Sequence, residues 1–446
     1  MGKQEPQKGK VIVNRATTIL NQRIVPALAA VSENTYLSAI RAGMVSVVPL
    51  TIIGGLFTII ANPPIPSLDK IVAPHRDLLL LPVTATFGLL AVFVCFTIGY
   101  DLGKRLKQEA IVSATISTLI FLMLQLQANN QGISIEGLGS KGLFTAVLIA
   151  LISVRVQKFF TDKGMVIKLP PNVPSMVYES FLSLSPLVFL VLVFWLIRFV
   201  FGVDIDHLVQ TAFKPLVVGL NTLPGILLYA FLVTLLWSVG INGDNTMDAI
   251  VAPIFLQYLT ANVEALTHGS PLPYVTANGF FSTFVNVGGT GATIALALVL
   301  LNSKEPGFRS VSRLSLPTQI FQINEPIFFG LPIVLNPIFM IPYILNALIL
   351  TTLTYLLMQW NLIHRPVVNV PWTTPPVIGH FLVTGGDWRA ALWGLISILI
   401  AMAVYFPFAK AAERQRLQME VKAARNQTQG LQTTPATHSL QSETPD

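Results

Sequence analysis

Ten apolar stretches, near residues 36–61, 79–100, 110–126, 143–157, 179–202, 216–240, 246–264, 280–301, 331–358 and 388–409, leave this chain little choice of fold. About 20 apolar residues cross the hydrocarbon core of a bilayer. No water is available there to pair a free amide, so a crossing segment must be a helix or part of a closed barrel. Runs this long, without strict alternation of apolar and polar residues, read as helices. The chain therefore reads as an all-α polytopic membrane protein with about ten transmembrane helices. Only 11% of its residues are charged, against about 25% in soluble domains.

Positive charge orients the spans. Lys104, Arg105 and Lys107 follow the second, Arg155, Lys158, Lys163 and Lys168 the fourth, Lys304, Arg309 and Arg313 the eighth, and Lys410, Arg414 and Arg416 the tenth. These clusters share one face with the basic N-terminus, which predicts both termini in the cytoplasm. The net charge of +7 is then explained by topology and by contact with anionic lipid, with no nucleic acid among the partners. Residues 1–35 form a cytoplasmic or interfacial segment without a cleavable signal, and Ile19, Leu20, Ile24 and Leu28 fit a short interfacial helix or an unstructured leader. The single cysteine, Cys95, lies in an apolar span and predicts buried packing, with no disulfide, metal or cofactor.

Texture divides the chain. Residues 36–205 carry long uninterrupted spans, as expected of a scaffold and dimerisation half, whereas in residues 206–410 the spans are broken repeatedly. The breaks are Gly240-Ile241-Asn242-Gly243-Asp244-Asn245, Asn286-Val287-Gly288-Gly289-Thr290-Gly291, Asn324-Glu325-Pro326 and Asn369-Val370-Pro371-Trp372. Interrupted helices of this kind build solute sites in transporters. Residues 411–446 read as a disordered cytoplasmic tail.

One carboxylate sits inside the apolar run 315–332, bracketed by amides and by Pro326 and Pro332. A charged group at bilayer depth costs roughly 3 kcal/mol on insertion scales, and it persists where it faces a cavity, a partner or a solute. Glu325 is thus the expected centre of a polar-solute site, the bland alternative being a carboxylate satisfied between helices. Gln322 and Asn324 are either solute contacts or caps on broken backbone. Trp372 and Trp237, each beside a break in an apolar run, fit interfacial tryptophans. Gly288, Gly289 and Gly291 fit a tight hairpin; no Lys-Ser/Thr follows them, so they do not read as a phosphate loop.

The run 315–342, Val166-Ile167-Lys168-Leu169-Pro170 with Val173-Pro174, Gly288-Gly289-Thr290-Gly291-Ala292-Thr293 and Asn369-Val370-Pro371-Trp372 resemble the enzyme IIC permeases of the bacterial phosphoenolpyruvate:sugar phosphotransferase system. The likeness is greatest to the lactose, cellobiose and diacetylchitobiose group and covers roughly residues 30–410. It implies a homodimeric elevator-type transporter in the inner membrane, with two re-entrant hairpins in the C-terminal half. The implied cargo is a disaccharide, phosphorylated by a separate enzyme IIB. By position, Glu325 resembles the family carboxylate that binds sugar hydroxyls, and the resemblance makes Trp372, and less directly Trp237, an aromatic platform for a pyranose face as the alternative to an interfacial tryptophan. One departure stands out: the family usually reads Gly-Ile-His-Gly where this chain has Gly240-Ile241-Asn242-Gly243. Asn242 can bind a sugar but cannot take a proton. Asp244 and Asp248 either take up that role or cap a helix start. The departure also admits an uncoupled carrier, and a non-transporting receptor is a further alternative. Among the histidines only His380, near Trp372, merits attention.

Overall fold

The computed structural model describes residues 33–63, 66–127, 132–167, 175–331 and 333–432, and among them the sole β pairing is an isolated bridge between Leu126 and Ile133. The expected interfacial helix near residues 19–28, the Lys168–Pro174 stretch and Pro332 lie outside the described residues. Seven of the described helices are long and apolar enough to cross a membrane: Thr35–Ala61, Ser67–Arg105, Ser140–Asp162, Phe181–Val200, Gly243–Thr267, Pro337–Gln359 and Trp388–Lys422.

The other three expected spans differ, each for a physical reason. Ala110–Leu124 is a helix of 15 residues, about 22 Å long and so shorter than the roughly 30 Å core. Residues 216–240 divide between Ile205–Leu220 and Leu223–Ser238, which meet at 84°. There Thr222 caps the second helix by accepting from Gly225 N at 3.3 Å, and Pro224 occupies a first-turn position where its missing amide is harmless. Residues 280–301 are not one helix. A π-turn at Phe280–Val285 and the eight-residue helix Thr293–Leu300 flank a loop in which Gly288, Gly289, Gly291 and Ala292 have φ of 72°, 105°, 76° and 55°. Left-handed residues in succession are incompatible with a right-handed helix.

The last helix runs from Trp388 to Gln432, 45 residues, about 68 Å and twice the hydrocarbon thickness. Regular structure therefore continues past residue 411, where the sequence predicted disorder, and residues 433–446 lie outside the described set. Its composition favours this, with Ala411, Ala412, Glu413, Arg414 and Gln415 all good helix formers or neutral. Glu413 also anchors it: the carboxylate accepts from Ser303 Oγ at 2.7 Å and Lys304 N at 3.0 Å and pairs with Lys410 at 3.1 Å.

In the first half, Thr35–Ser46, Ala110–Leu124 and Leu143–Asp162 pack around Leu90–Arg105, with Cys95 fully buried. Small residues set the approach: Gly99 and Gly103 lie against Ser117 and Ser113, and Gly43 against Ile98. In lipid, where chains gain nothing by hiding apolar surface from one another, such close backbone contact supplies much of the packing energy. Polar ties then reach across to the second half. Arg41 Nη1 donates to Asn245 O at 3.1 Å, and Asn369 Nδ2 donates to Thr51 Oγ1 at 2.6 Å.

A Cβ at Gly43 would lie 2.9 Å from Ile98 N and still closer to the Ile98 side chain. We expect Gly43→Ala to destabilise the protein by about 1–3 kcal/mol, read as a lower Tm in detergent. Gly219→Ala, where the added methyl meets nothing within 4 Å, leaves Tm unchanged or slightly raised.

Candidate functional site

A cavity of about 370 Å³ opens between the helices of residues 35–61 and the broken segments of the second half. That volume falls in the range of small-molecule sites. All eight residues expected at a site line it: Trp237, Asn242, Asp244, Gly289, Gln322, Asn324, Glu325 and Trp372.

Glu325 opens the short helix Glu325–Gly330, with Pro326 beside it in the first turn. Its side chain is exposed and has no hydrogen-bond partner among the described residues. A carboxylate at a helix N-terminus meets the positive end of the backbone dipoles, which steadies its charge without occupying its lone pairs. It is an acceptor held open toward the cavity.

The amides beside it are turned to the backbone. Gln322, at φ 66°, accepts at Oε1 from Gly288 N at 2.6 Å and Gly289 N at 3.0 Å, while its Nε2 donates to Thr374 O at 3.4 Å. Asn324 Nδ2 donates to Thr290 O at 3.0 Å. Of the two roles open to these residues, the structure displays the capping of broken backbone. Gly289 is the counterpart of Asn324, because any Cβ there would collide with the Asn324 side chain.

Asn242 is the N-cap of Gly243–Thr267, accepting from Asn245 N at 2.8 Å. Asp244 is thereby free of capping and gathers three donors instead: Trp237 Nε1 at 2.8 Å, Asn286 Nδ2 at 3.0 Å and Thr290 Oγ1. Trp237 is only 5% exposed and packs edge-on against Phe328 at 5.1 Å, which makes it a wall residue. Trp372 is the opposite case, 61% exposed in the loop that follows Asn369. His380 is fully buried and outside the cavity lining.

Arg41, the one cation lining the cavity among the described residues, is absent from the site residues expected from sequence. Its signal was present, a lone charge inside the first apolar span. Nor does the sequence indicate that Asn286 and Thr290 serve Asp244, because those partners are 42 and 46 residues away. An open carboxylate, an exposed indole and a floor of tied amides suit a neutral, hydroxyl-rich solute.

Asp244→Ala strands three donors, and hydrogen bonds to a charged group contribute roughly 1.5–3 kcal/mol each. We expect the variant to lose about 2–4 kcal/mol after partial rehydration, seen as a clear fall in Tm. Asp244→Asn, which keeps one acceptor oxygen, falls between it and the parent.

The family model described as "Phosphotransferase system, EIIC" matches residues 41–347. The cellobiose-specific EIIC component of Geobacillus stearothermophilus is 34% identical over 92% of this chain and 96% of its own length. The lichenan permease IIC component of Bacillus subtilis is 32% identical over 92% and 96%. Among solved structures, the transporter ChbC, the IIC component of an N,N′-diacetylchitobiose-specific phosphotransferase system, superposes with a TM-score of 0.85 at 33% identity, covering 90% of this chain and 99% of that one.

Proposed function

The chain belongs to the EIIC permeases of the phosphotransferase system, and from that premise we propose that it carries a β-linked disaccharide of the cellobiose or diacetylchitobiose kind across the bacterial cytoplasmic membrane. The observation that carries this reading is the cavity, in which Glu325 and Trp372 are presented without hydrogen-bond partners among the described residues while Gln322, Asn324 and Asp244 beside them are tied. In the proposed complex the Glu325 carboxylate accepts from sugar hydroxyls, and the Trp372 indole covers the apolar C–H face of a pyranose. Asp244 holds the floor, and Asn242 keeps the start of Gly243–Thr267 in register beneath it.

In this proposal two copies dimerise through residues 36–205, and residues 206–410 move as the transport half, both termini staying in the cytoplasm. The ties Arg41–Asn245 and Asn369–Thr51 join first-half helices to moving segments, so an elevator step must break them. Chemistry then falls to a separate enzyme IIB. A phosphoryl group leaves its donor's cysteine sulfur, the P–S bond breaking as a P–O bond forms to a sugar hydroxyl, and the hydroxyl proton passes to a base. Cys95, fully buried in the first half, cannot be that donor. Here the permease contributes position, which dominates phosphoryl transfer.

We expect Glu325→Gln to weaken cellobiose or diacetylchitobiose binding at least about tenfold, since a charge-assisted acceptor worth roughly 1.5–3 kcal/mol is replaced by a neutral amide. Calorimetry on purified protein checks this; unchanged affinity in the variant would remove Glu325 from the site.

The departure at Asn242 has its own test. Asn242→His should raise sugar phosphorylation in vesicles supplied with energised enzyme IIB, at a stability cost of about 1 kcal/mol for the altered cap. If phosphorylation is absent in both parent and variant while uptake proceeds, the protein is a carrier uncoupled from phosphorylation.

A further inference from the structure

The loop that presents Trp372 leaves the cavity through a strained turn. Val377 has φ 72° and ψ −57°, and Ile378 N donates to Pro376 O at 2.8 Å. This is the γ-turn of the rare, strained hand. A β-branched residue with positive φ is an outlier, and such a conformation persists only when its surroundings over-determine it. Here the determinant is a side chain three residues on, because the Val377 amide donates to Nδ1 of His380 at 3.3 Å.

His380 is built in from all sides. It is fully buried, its ring stands edge-on to Phe284 at 4.6 Å, and a methyl on Gly394 of the last helix would come within 3.0 Å of the ring. Since Nδ1 accepts, the ring proton sits on Nε2, and Nε2 has no acceptor among the described residues. A buried donor without a partner is unfavourable. What offsets it at this position is the acceptor that Nδ1 supplies to the turn.

The consequence reaches the cavity through backbone. Trp372 is exposed and its indole N–H is unbonded among the described residues, so the course of its loop governs where the ring stands. That loop is held at Thr374, whose N–H donates to Pro371 O at 2.9 Å and whose carbonyl accepts from Gln322, and at its exit by the Val377 turn. We propose that His380 is a positioning residue for solute binding: its Nδ1 holds the Val377 turn, and the turn sets Trp372 over the cavity. The proposal rests on the reading of that cavity as the sugar site.

The test uses the full chain in detergent and two readouts, one of them free of sugar. Amide hydrogen exchange over residues 372–380 reports the turn, and calorimetry with cellobiose and with N,N′-diacetylchitobiose reports the site. His380→Phe keeps a ring against Phe284 and removes the acceptor; it should speed exchange at least tenfold and weaken binding at least fivefold. His380→Asn restores an acceptor oxygen and should stay within twofold of the parent in both. Val377→Gly has no penalty for positive φ, so adding His380→Phe to it should change affinity less than twofold. This comparison also stands if His380→Phe alone fails to fold. Unchanged exchange in His380→Phe, or equal defects in the Phe and Asn variants, would overturn the proposal. If the parent binds neither sugar, the sugar reading fails, while exchange still decides whether His380 holds the turn.

Discussion

Breaking a helix at bilayer depth exposes amides and carbonyls that only the protein itself can pair, and the arrangement around the cavity follows from that requirement. Gln322 meets it most directly. One side chain receives the amides of Gly288 and Gly289 and reaches the carbonyl of Thr374, so the first glycine-rich break and the Trp372 loop are fastened at a single residue. Asn324 fastens the Thr290 carbonyl, and Tyr405 of the last helix donates to the Gly291 carbonyl at 2.7 Å. Four consecutive amide or carbonyl positions of one loop are thus paired by three side chains from two other segments. Irregular backbone here is stable because its partners are fixed elsewhere in the fold.

That dependence explains the division of labour among the polar residues. Groups that pair broken backbone are buried and spoken for, as Gln322 and Asn324 are. Glu325 and Trp372 are among the lining groups left over: Glu325 is lodged where a proline and a helix start already account for the neighbouring amides, and the loop of Trp372 is secured at other residues. Asp244 is intermediate, lining the cavity while three donors converge on it. It shapes the site more than it offers itself.

Much of this is legible in the sequence, because a polar residue in an apolar run is conspicuous. Glu325, Asn324, Gln322 and the glycines stand out on that ground, whereas the resemblance to a known family carries the choice of Trp372 and, through the departure at Asn242, of Asp244. The roles of Gln322 and Asn324 were not readable, since their partners are more than 30 residues away and no local pattern records such a pairing. Hydropathy likewise cannot separate a crossing helix from a broken one of equal apolar content. At residues 280–301 the decision rests with left-handed backbone at Gly288, Gly289 and Gly291, which the sequence permits but does not require. Arg41 goes unmarked because the first spans read wholly as scaffold, yet the cavity lies between residues of both halves and has a wall on each.

The charges lining the cavity bear on what it can hold. Among the described residues, Asp244, Asp248 and Glu325 share the lining with one guanidinium, that of Arg41, which already donates to the Asn245 carbonyl. Like charges at short range and low dielectric repel strongly, so an anionic solute would meet unfavourable potential from the carboxylates with little left to offset it. A neutral solute with many hydroxyls meets the reverse, because a carboxylate accepts from hydroxyls without any counter-ion. Tyr229, whose hydroxyl donates to Asp248 at 3.4 Å, shows the same chemistry satisfied from within the protein. The acid-rich wall and the open indole therefore select on the same property, a polar molecule without charge that presents hydroxyls at its edge and C–H groups on its face.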